Sequence, residues 1–199
     1  MPITITDQGS DNTVDIDPAV AEGGSGSIVF LGRGGTVRIG SGCLLSRANI
    51  TIGSDCSFEV DDGCRLAAIE VRAHMRASVV VGAGTNFTWH TRLFLHEPSR
   101  IIIGRWCLIA SDTLFTTSDM HSILNRATGE RINPAADIVL GDHVWVALQA
   151  TILKGSIIDE GSIVGLGSVV SGRLPANTLC AGRPARPIRE NVSWDPALL

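Results

Sequence analysis

The sequence IVLGDHVWVALQATILKGSIIDEGSIVGLGSVV (residues 138–170) carries a strict six-residue repeat. Branched apolar side chains occupy the repeat positions, which are Leu140, Val146, Ile152, Ile158, Val164 and Val170. A small or short side chain lies two residues before each of the last five: Val144, Ala150, Ser156, Ser162 and Ser168. An α-helix repeats its apolar face every three to four residues, and a half-buried strand every two. The six-residue period therefore predicts short strands separated by turns, with both of these positions pointing inward.

Stacked strands and turns of this kind predict an all-β fold, a parallel β-helix. Three short strands close one triangular coil, and each coil is stable only because its neighbours cover it. We expect the β-helix domain to span residues 28–182, after an N-terminal lead-in or cap (residues 1–27). Residues 122–137 (SILNRATGERINPAAD) are polar and lack the repeat, which predicts one protruding loop. Residues 183–199 are expected to form a basic C-terminal tail and a short cap.

The composition suits a single β domain that is rich in turns. The 199 residues allow one continuous core, and no apolar run approaches the ~20 residues of a membrane span. No membrane span is therefore predicted. The N-terminal sequence lacks the basic and apolar regions of a signal peptide, so a cytoplasmic location is expected. The net charge of −4 disfavours nucleic acid as a partner.

Four cysteines occupy the small inward position of the repeat, two residues before an apolar side chain: Cys43, Cys56, Cys64 and Cys107. We interpret them as small buried core residues. The chain contains no CxxC pair, which disfavours a zinc site or a disulfide framework. No metal is therefore predicted.

His121 is the candidate general base. Among the five histidines it alone lies where the regular repeat meets an irregular polar loop. An imidazole titrates near neutral pH and can take a proton from a hydroxyl group. Asp119, two residues earlier, would share its side of an extended strand and could hold the ring or the acceptor hydroxyls. Position alone leaves the alternative of a buried histidine that is satisfied by a backbone carbonyl.

Four motifs resemble the hexapeptide-repeat acyltransferases, in particular the O-acetyltransferases of sugars and capsular polysaccharides: TSDMHSI (117–123), LGDHVWV (140–146), IVGLGSVV (163–170) and LCAGRPARPIR (179–189). The resemblance implies a left-handed β-helix, a homotrimer, and an acyl-CoA groove between neighbouring subunits. It also implies acetyl-CoA as co-substrate and a glycan or small-molecule acceptor. Transfer would be direct, with His121 as general base and Asp119 as its helper.

The predicted CoA site combines glycines, an outward tryptophan and arginines. Its residues are Trp145, Ala147, Gly165, Leu166, Ser171, Arg173, Arg183, Arg186 and Arg189. Gly165 leaves room for the pantetheine arm, whereas Trp145 would contact either that arm or a neighbouring subunit. The three C-terminal arginines suit the CoA phosphates or form a solvated tail. The sequence departs from the family at Ser171-Gly172-Arg173, where a Thr-Lys pair is common, and Arg173 is the candidate substitute.

Other functions remain open on the sequence. An N-acetyltransferase of an amino sugar or antibiotic would use the same scaffold. A γ-carbonic-anhydrase-like solenoid would need three histidines on zinc, and an assembly solenoid would have no reason to carry His121, its loop and the basic tail together. The alternating residues Glu70, Arg72, His74 and Arg76 form either an acceptor surface or a solvated face.

Overall fold

A computed structural model describes residues 2–198 of the protein as an almost wholly β structure. Its strands form three eight-stranded sheets, and the chain visits the sheets in rotation, so that each circuit adds one coil. This arrangement confirms the predicted left-handed parallel β-helix. No helix within residues 2–198 is long and apolar enough to cross a membrane.

Each sheet is one side of a triangular prism. Sheet 1 contains β1 (Ile3–Asp7), β3 (Gly26–Phe30), β6 (Ala48–Ser54), β9 (Glu70–Met75), β12 (Arg92–Leu95), β15 (Leu114–Thr116), β18 (Thr151–Leu153) and β21 (Val169–Val170). Sheet 2 contains β2 (Thr13–Ile16), β4 (Thr36–Ile39), β7 (Ser57–Val60), β10 (Ser78–Val81), β13 (Arg100–Ile103), β16 (Ile138–Leu140), β19 (Ile157–Ile158) and β22 (Arg173–Leu174). Sheet 3 contains β5 (Leu44–Ser46), β8 (Arg65–Ala67), β11 (Asn86–Phe87), β14 (Leu108–Ile109), β17 (Trp145–Val146), β20 (Ile163–Val164), β23 (Leu179–Gly182) and β24 (Ala185–Arg189).

The six-residue repeat between residues 138 and 170 occupies the core as predicted. Its apolar positions lie on the three sheets in turn and are buried, and a coil here takes 18 residues, the separation between Val139 and its partner Ile157. The small inward positions are buried too. The Ser156 hydroxyl lies 2.6 Å from the carbonyl oxygen of Leu153 and 3.1 Å from that of Val170. A serine is therefore tolerated inside the prism because backbone carbonyl oxygens accept hydrogen bonds from its hydroxyl group.

The cysteines confirm the core interpretation. Cys43, Cys56, Cys64 and Cys107 are all buried, as is Cys180. Burial raises the pKa of the Cys107 thiol to about 11. This residue therefore carries a thiol at neutral pH and packs as a small hydrophobic side chain.

The N-terminal region differs from the expected lead-in. Strands β1 and β2 already pair in parallel with β3 and β4, so the sheets begin well before residue 28. The helix α1 (Pro18–Gly23) replaces the third strand of this first coil and packs on β5 with Val20 buried. Asp17 caps it by accepting hydrogen bonds from the backbone N–H groups of Ala19 and Val20.

The C-terminal region adds one more strand and then turns back along the prism. Strand β24 pairs antiparallel with β23 at the end of sheet 3. Trp194 stacks on the ring of His143, with 4.3 Å between ring centroids, and its indole N–H donates to the carbonyl oxygen of His143 at 2.8 Å. Trp194 thus lies beside sheet 3 rather than over the end of the core.

Candidate active site

The predicted loop leaves the prism between sheet 1 and sheet 2. Strand β15 ends at Thr116, and the chain rejoins the solenoid at Ile138. Just before it does so, the Asp137 carboxylate accepts hydrogen bonds from the backbone N–H and the side chain of Arg100. His121 lies in this loop and is exposed. It does not occupy an inward repeat position, so the alternative of a buried core histidine is wrong.

The backbone of His121 is fixed although its ring is exposed. Its N–H donates to the carbonyl oxygen of Asp119 at 2.7 Å, and its own carbonyl oxygen accepts from the Asn133 side-chain amide at 2.8 Å. Within residues 2–198, the hydrogen bonds of His121 involve only these backbone groups. The imidazole therefore projects from an ordered backbone and has both nitrogens available to a ligand.

Asp119 contacts other partners than the predicted one. Residues 117–121 are not an extended strand, and Met120 has a left-handed backbone with φ of 61°. The Asp119 carboxylate accepts from Lys154 at 2.6 Å and from Asn133 at 2.7 Å. The hydrogen bond from Lys154, followed by that from Asn133, lowers the pKa of Asp119. The proposed contact through a shared strand face is therefore wrong, and Asp119 instead helps to fix the loop.

A second ion pair holds the far side of the loop. Both terminal nitrogens of Arg131 donate to the Glu97 carboxylate, at 2.6 and 2.7 Å, and Ser118 also donates to it. The hydrogen bonds from Arg131, then Ser118, lower the pKa of Glu97 to about 2. The loop is thus cross-linked to the neighbouring coils at both of its ends.

Sequence reasoning missed five residues of this network: Glu97, Ser118, Arg131, Asn133 and Lys154. Asn133 is buried and joins Asp119 to the His121 backbone through one amide group. It sits in a loop without a repeat, so no periodic signal identifies it. Lys154 did carry a signal, since it is the only lysine in a chain with fifteen arginines.

Two further histidines lie on the preceding coils beside the loop. The rings of His74 and His96 are 4.5 Å apart between centroids, and Arg72 lies 5.5 Å from the ring of Phe94. Burial, followed by the nearby His74, lowers the pKa of His96. Within residues 2–198, no group of three or more His, Cys, Asp or Glu side chains is arranged to hold a metal ion.

Four of the predicted CoA residues lie at one corner of the prism. We define the groove corner as the turns from sheet 3 to sheet 1 (residues 110–113, 147–150 and 165–168) together with the turn from β23 to β24 (residues 183–184). Ala147, Gly165, Leu166 and Arg183 lie in it. A Cβ atom at Gly165 would lie 2.9 Å from the Cβ of Ala181, so a larger residue would crowd the next coil. Leu166 is exposed, and Arg183 donates to the carbonyl oxygen of Gly167 at 2.8 Å. The groove corner therefore presents small residues beside a guanidinium group.

The other predicted residues lie elsewhere. Ser171 belongs to the histidine corner, which comprises the turns from sheet 1 to sheet 2 (residues 96–99, 117–137, 154–156 and 171–172). Arg173 lies on sheet 2 and donates to the Asp159 carboxylate at 2.9 Å. On β24, Arg186 pairs with Ala181 near the groove corner, whereas Arg189 pairs with Leu179 at the other end of the strand. The three C-terminal arginines thus do not form one cluster.

Trp145 lies on the outer face of sheet 3, as its position in the repeat predicted. Its ring centroid is 6.0 Å from that of Trp194, so part of the indole is covered by the C-terminal region of the same chain. The groove corner begins two residues later, at Ala147. Trp145 therefore borders the groove corner.

Sheet 1 separates the two corners within one chain. Its C-terminal strands are two or three residues long, and a three-residue strand spans about 10 Å. The coil that carries His121 also contains the groove-corner turn at residues 110–113, because β15 connects them directly. His121 thus lies level with residues 110–113, one coil N-terminal to Ala147, and at the opposite edge of sheet 1 from the groove corner.

Comparison with known proteins identifies the family. No protein-family model matches the chain. The polysialic acid O-acetyltransferase of Neisseria meningitidis is 30% identical over 151 residues, which are 75% of this chain and 69% of that protein. The chain belongs to the hexapeptide-repeat O-acetyltransferases. The resemblance predicted from the four sequence motifs is therefore confirmed.

Other hexapeptide-repeat O-acetyltransferases agree with this assignment. The polysialic acid O-acetyltransferase of Escherichia coli O1:K1 is 38% identical over 98 residues, 49% of this chain and 32% of that protein. The crystal structure of the polysialic-acid-specific acetyltransferase NeuO matches with a TM-score of 0.86 and 24% identity, over 98% of this chain and 83% of that one. The structural match covers the N-terminal coils as well, where the six-residue repeat is weakest.

Proposed function

We propose that the protein transfers the acetyl group of acetyl-CoA directly to a sugar hydroxyl of a polysaccharide or its precursor. One observation carries the proposal: the His121 backbone is fixed by two hydrogen bonds, and its exposed imidazole is free to contact a ligand. Family membership supports O-acetyl transfer, and two relatives act on polysialic acid.

The chemistry follows from an imidazole beside a hydroxyl group and a thioester. A neutral His121 nitrogen removes the hydroxyl proton as the oxygen attacks the thioester carbonyl carbon. The tetrahedral intermediate then expels the CoA sulfur, which receives that proton from the imidazolium ring. A backbone N–H of a neighbouring coil would stabilise the oxyanion. The buried thiols, such as Cys107, support direct transfer over a covalent cysteine intermediate.

We infer that the acetyl-CoA site forms between subunits of a homotrimer. The groove corner of one subunit would provide Ala147, Gly165 and Leu166 along the pantetheine arm. Arg183 and Arg186 lie at its C-terminal end and suit the phosphate groups. The histidine corner of the neighbouring subunit would provide His121, and Ser171 two coils further on. The separation of the corners within one chain supports this arrangement, because one prism cannot bring them together.

Subunit complementation tests the proposal. His121→Ala removes the base, and Ala147→Trp places a large side chain at a half-buried turn position of the groove corner. Each variant should be inactive as a homotrimer. Trimers assembled from an equal mixture should recover about one quarter of the wild-type activity, since half of the bases and half of the grooves remain intact and pair at random.

The outcome separates an intersubunit site from one within a chain. If one chain formed the whole site, every chain in a mixed trimer would still lack either the base or the open groove, so no activity would return. Circular dichroism and light scattering on each variant check that the fold and the assembly are unchanged. Absence of recovery in correctly mixed trimers would contradict the proposed arrangement, and absence of CoA release by the wild type with any glycan would contradict the activity.

A further inference from the structure

A second concave surface lies at the same edge of the prism, N-terminal to the predicted CoA groove. It encloses about 540 Å³ and extends over four successive coils. Its lining includes Arg47, Asn49, Glu70, His90, Arg92 and Asp112, and we call it the arginine pocket. It continues the groove corner, because residues 47, 68, 90 and 112 are the left-handed turn positions that precede successive strands of sheet 1.

Two guanidinium groups of this pocket lack an acidic partner. Glu70 is paired with Arg72 at 2.5 Å, and the Asp112 carboxylate lies 3.5 Å from His90 Nδ1. Arg47 lies over the ring of Trp89 at 5.1 Å, and neither Arg47 nor Arg92 forms an ion pair with any residue from 2 to 198. Arg47 and Arg92 are therefore both free to bind an anionic group, beside a Glu70 carboxylate that already pairs with Arg72. Guanidinium groups recognise carboxylates through paired hydrogen bonds.

The position of the pocket relative to the reacting groups indicates what it binds. This step rests on the proposed trimer, whose threefold axis would run parallel to the prism. Such an axis keeps heights unchanged, so His121 of one subunit would be level with the turn at residues 110–113 of the next. The predicted CoA residues occupy the coils C-terminal to that level. The acceptor must then approach from the N-terminal side, where the arginine pocket begins at Asp112.

The dimensions favour an extended acceptor. Parallel strands lie about 4.8 Å apart, so the three coil steps between Asp112 and Arg47 cover about 14 Å along the prism. Arg92 lies one coil from the reacting level and Arg47 three coils from it. A ligand that contacts both must therefore run along the edge of sheet 1.

We infer that the arginine pocket is the acceptor subsite, and that Arg47 and Arg92 bind carboxylate groups of an acidic oligosaccharide while His121 of the neighbouring subunit deprotonates its hydroxyl group. The pocket selects the acceptor and takes no part in acetyl-CoA binding. Sugars without a carboxylate would lack the contacts to both guanidinium groups and would bind more weakly.

Steady-state kinetics with a matched pair of acceptors tests this subsite. One acceptor is an oligosialic acid, and the other is the same chain with its carboxylates converted to methyl esters. The wild type should prefer the acid form. Arg92→Gln and Arg47→Gln should each raise the KM for the acid by about tenfold, because each removes a charge-assisted hydrogen bond to a carboxylate. The KM for acetyl-CoA should stay unchanged. Both variants should lose the preference for acid over ester.

Arg38→Gln is the matched control. Arg38 is an exposed arginine on sheet 2, away from the groove corner, and its loss changes the net charge by the same amount. It should keep both KM values. If all three substitutions raised the KM for the acid equally, the rise would come from the change in net charge, and the proposed subsite would be wrong. Full retention of the acid preference in Arg92→Gln and Arg47→Gln would overturn it as well.

A binding measurement separates this inference from the proposed function. Calorimetric titration of the His121→Ala trimer with oligosialic acid requires no catalysis, and binding that depends on Arg47 and Arg92 supports the subsite. If the wild type transfers acetyl groups but neither arginine affects acceptor binding, the subsite is wrong and the proposed function stands. If the acid binds through both arginines but no acetyl group is transferred, the proposed function fails instead.

Discussion

At the scale of single residues, the His121 side chain can be removed without disturbing its surroundings. Both hydrogen bonds that fix this residue involve the backbone N–H and carbonyl oxygen of His121 and not its ring. His121→Ala should therefore keep the trimer and its affinity for acetyl-CoA, while kcat falls by roughly 10²–10⁴, the usual contribution of a positioned general base. Wild-type turnover should fall in acid, because only a neutral imidazole accepts the proton, and this decline should be absent from the residual rate of the variant.

Stopped-flow or steady-state release of CoA thiol measures this effect. His143→Ala is a useful comparison, because His143 contacts Trp194 on sheet 3 and lies outside the loop. It should retain most of the activity. Near-normal turnover of His121→Ala with a good acceptor would show that another group is the base.

Asn133 is the residue on which the loop conformation depends. Its amide bridges Asp119 and the His121 carbonyl oxygen, and its own side-chain oxygen accepts from the Ile123 N–H at 2.7 Å. Asn133→Ala removes these partners of the His121 carbonyl oxygen and the Ile123 N–H, whereas Asp119 keeps Lys154. The cost is about 1–3 kcal/mol for each group that water cannot reach. We expect kcat to fall with little change in the KM for acetyl-CoA, because the loop would lose its conformation while the groove corner would not.

Limited proteolysis of the loop distinguishes this positioning role from direct catalysis. Asn133→Ala should be cleaved within residues 122–137 faster than the wild type, whereas His121→Ala should not. Equal protease resistance of all three proteins would contradict the role assigned to Asn133.

At the scale of elements, the sequence predicts the short coils of residues 138–170 but not the longer N-terminal coils. Residues 138–170 form 18-residue coils with almost nothing inserted, so every inward position is visible in the sequence. The N-terminal coils take about three residues more, since Val37 pairs with Phe58 and Phe58 with Val79. The extra residues enlarge the turns and hide the repeat, which is why β1 and β2 were missed. Contacts such as Glu97 with Arg131 depend on a non-repeating loop, and no spacing rule predicts them.

The Glu97–Arg131 pair should make the stability of the loop depend on pH. The folded pKa of Glu97 is about 2, below its ordinary value of 4.5. A depressed carboxyl pKa stabilises the folded state above the unfolded pKa, and this contribution is lost as the pH falls toward the folded value. The difference in melting temperature between the wild type and Glu97→Gln should therefore be constant from pH 7 to about pH 5 and should shrink between about pH 4.5 and pH 2.

Differential scanning fluorimetry over this pH range measures the difference. Glu59→Gln is the control, because Glu59 forms an exposed pair with Arg38 at 3.4 Å. Exposed pairs contribute little to stability, so its effect should be small throughout. A wild-type advantage over Glu97→Gln that persisted unchanged at pH 2 would contradict the ionic origin of the effect.

At the scale of the whole molecule, activity should require the assembled trimer. The groove corner and the histidine corner of one chain lie at opposite edges of sheet 1. In the proposed arrangement, a single prism would therefore contain two incomplete halves of the site. Light scattering should give three times the 21.0 kDa mass of the chain. On dilution, the turnover per chain should fall in parallel with the fraction of trimer measured by mass photometry, and it should recover when the protein is concentrated again. A monomeric fraction with undiminished turnover per chain would show that one prism holds a complete site, and the intersubunit arrangement would then be wrong.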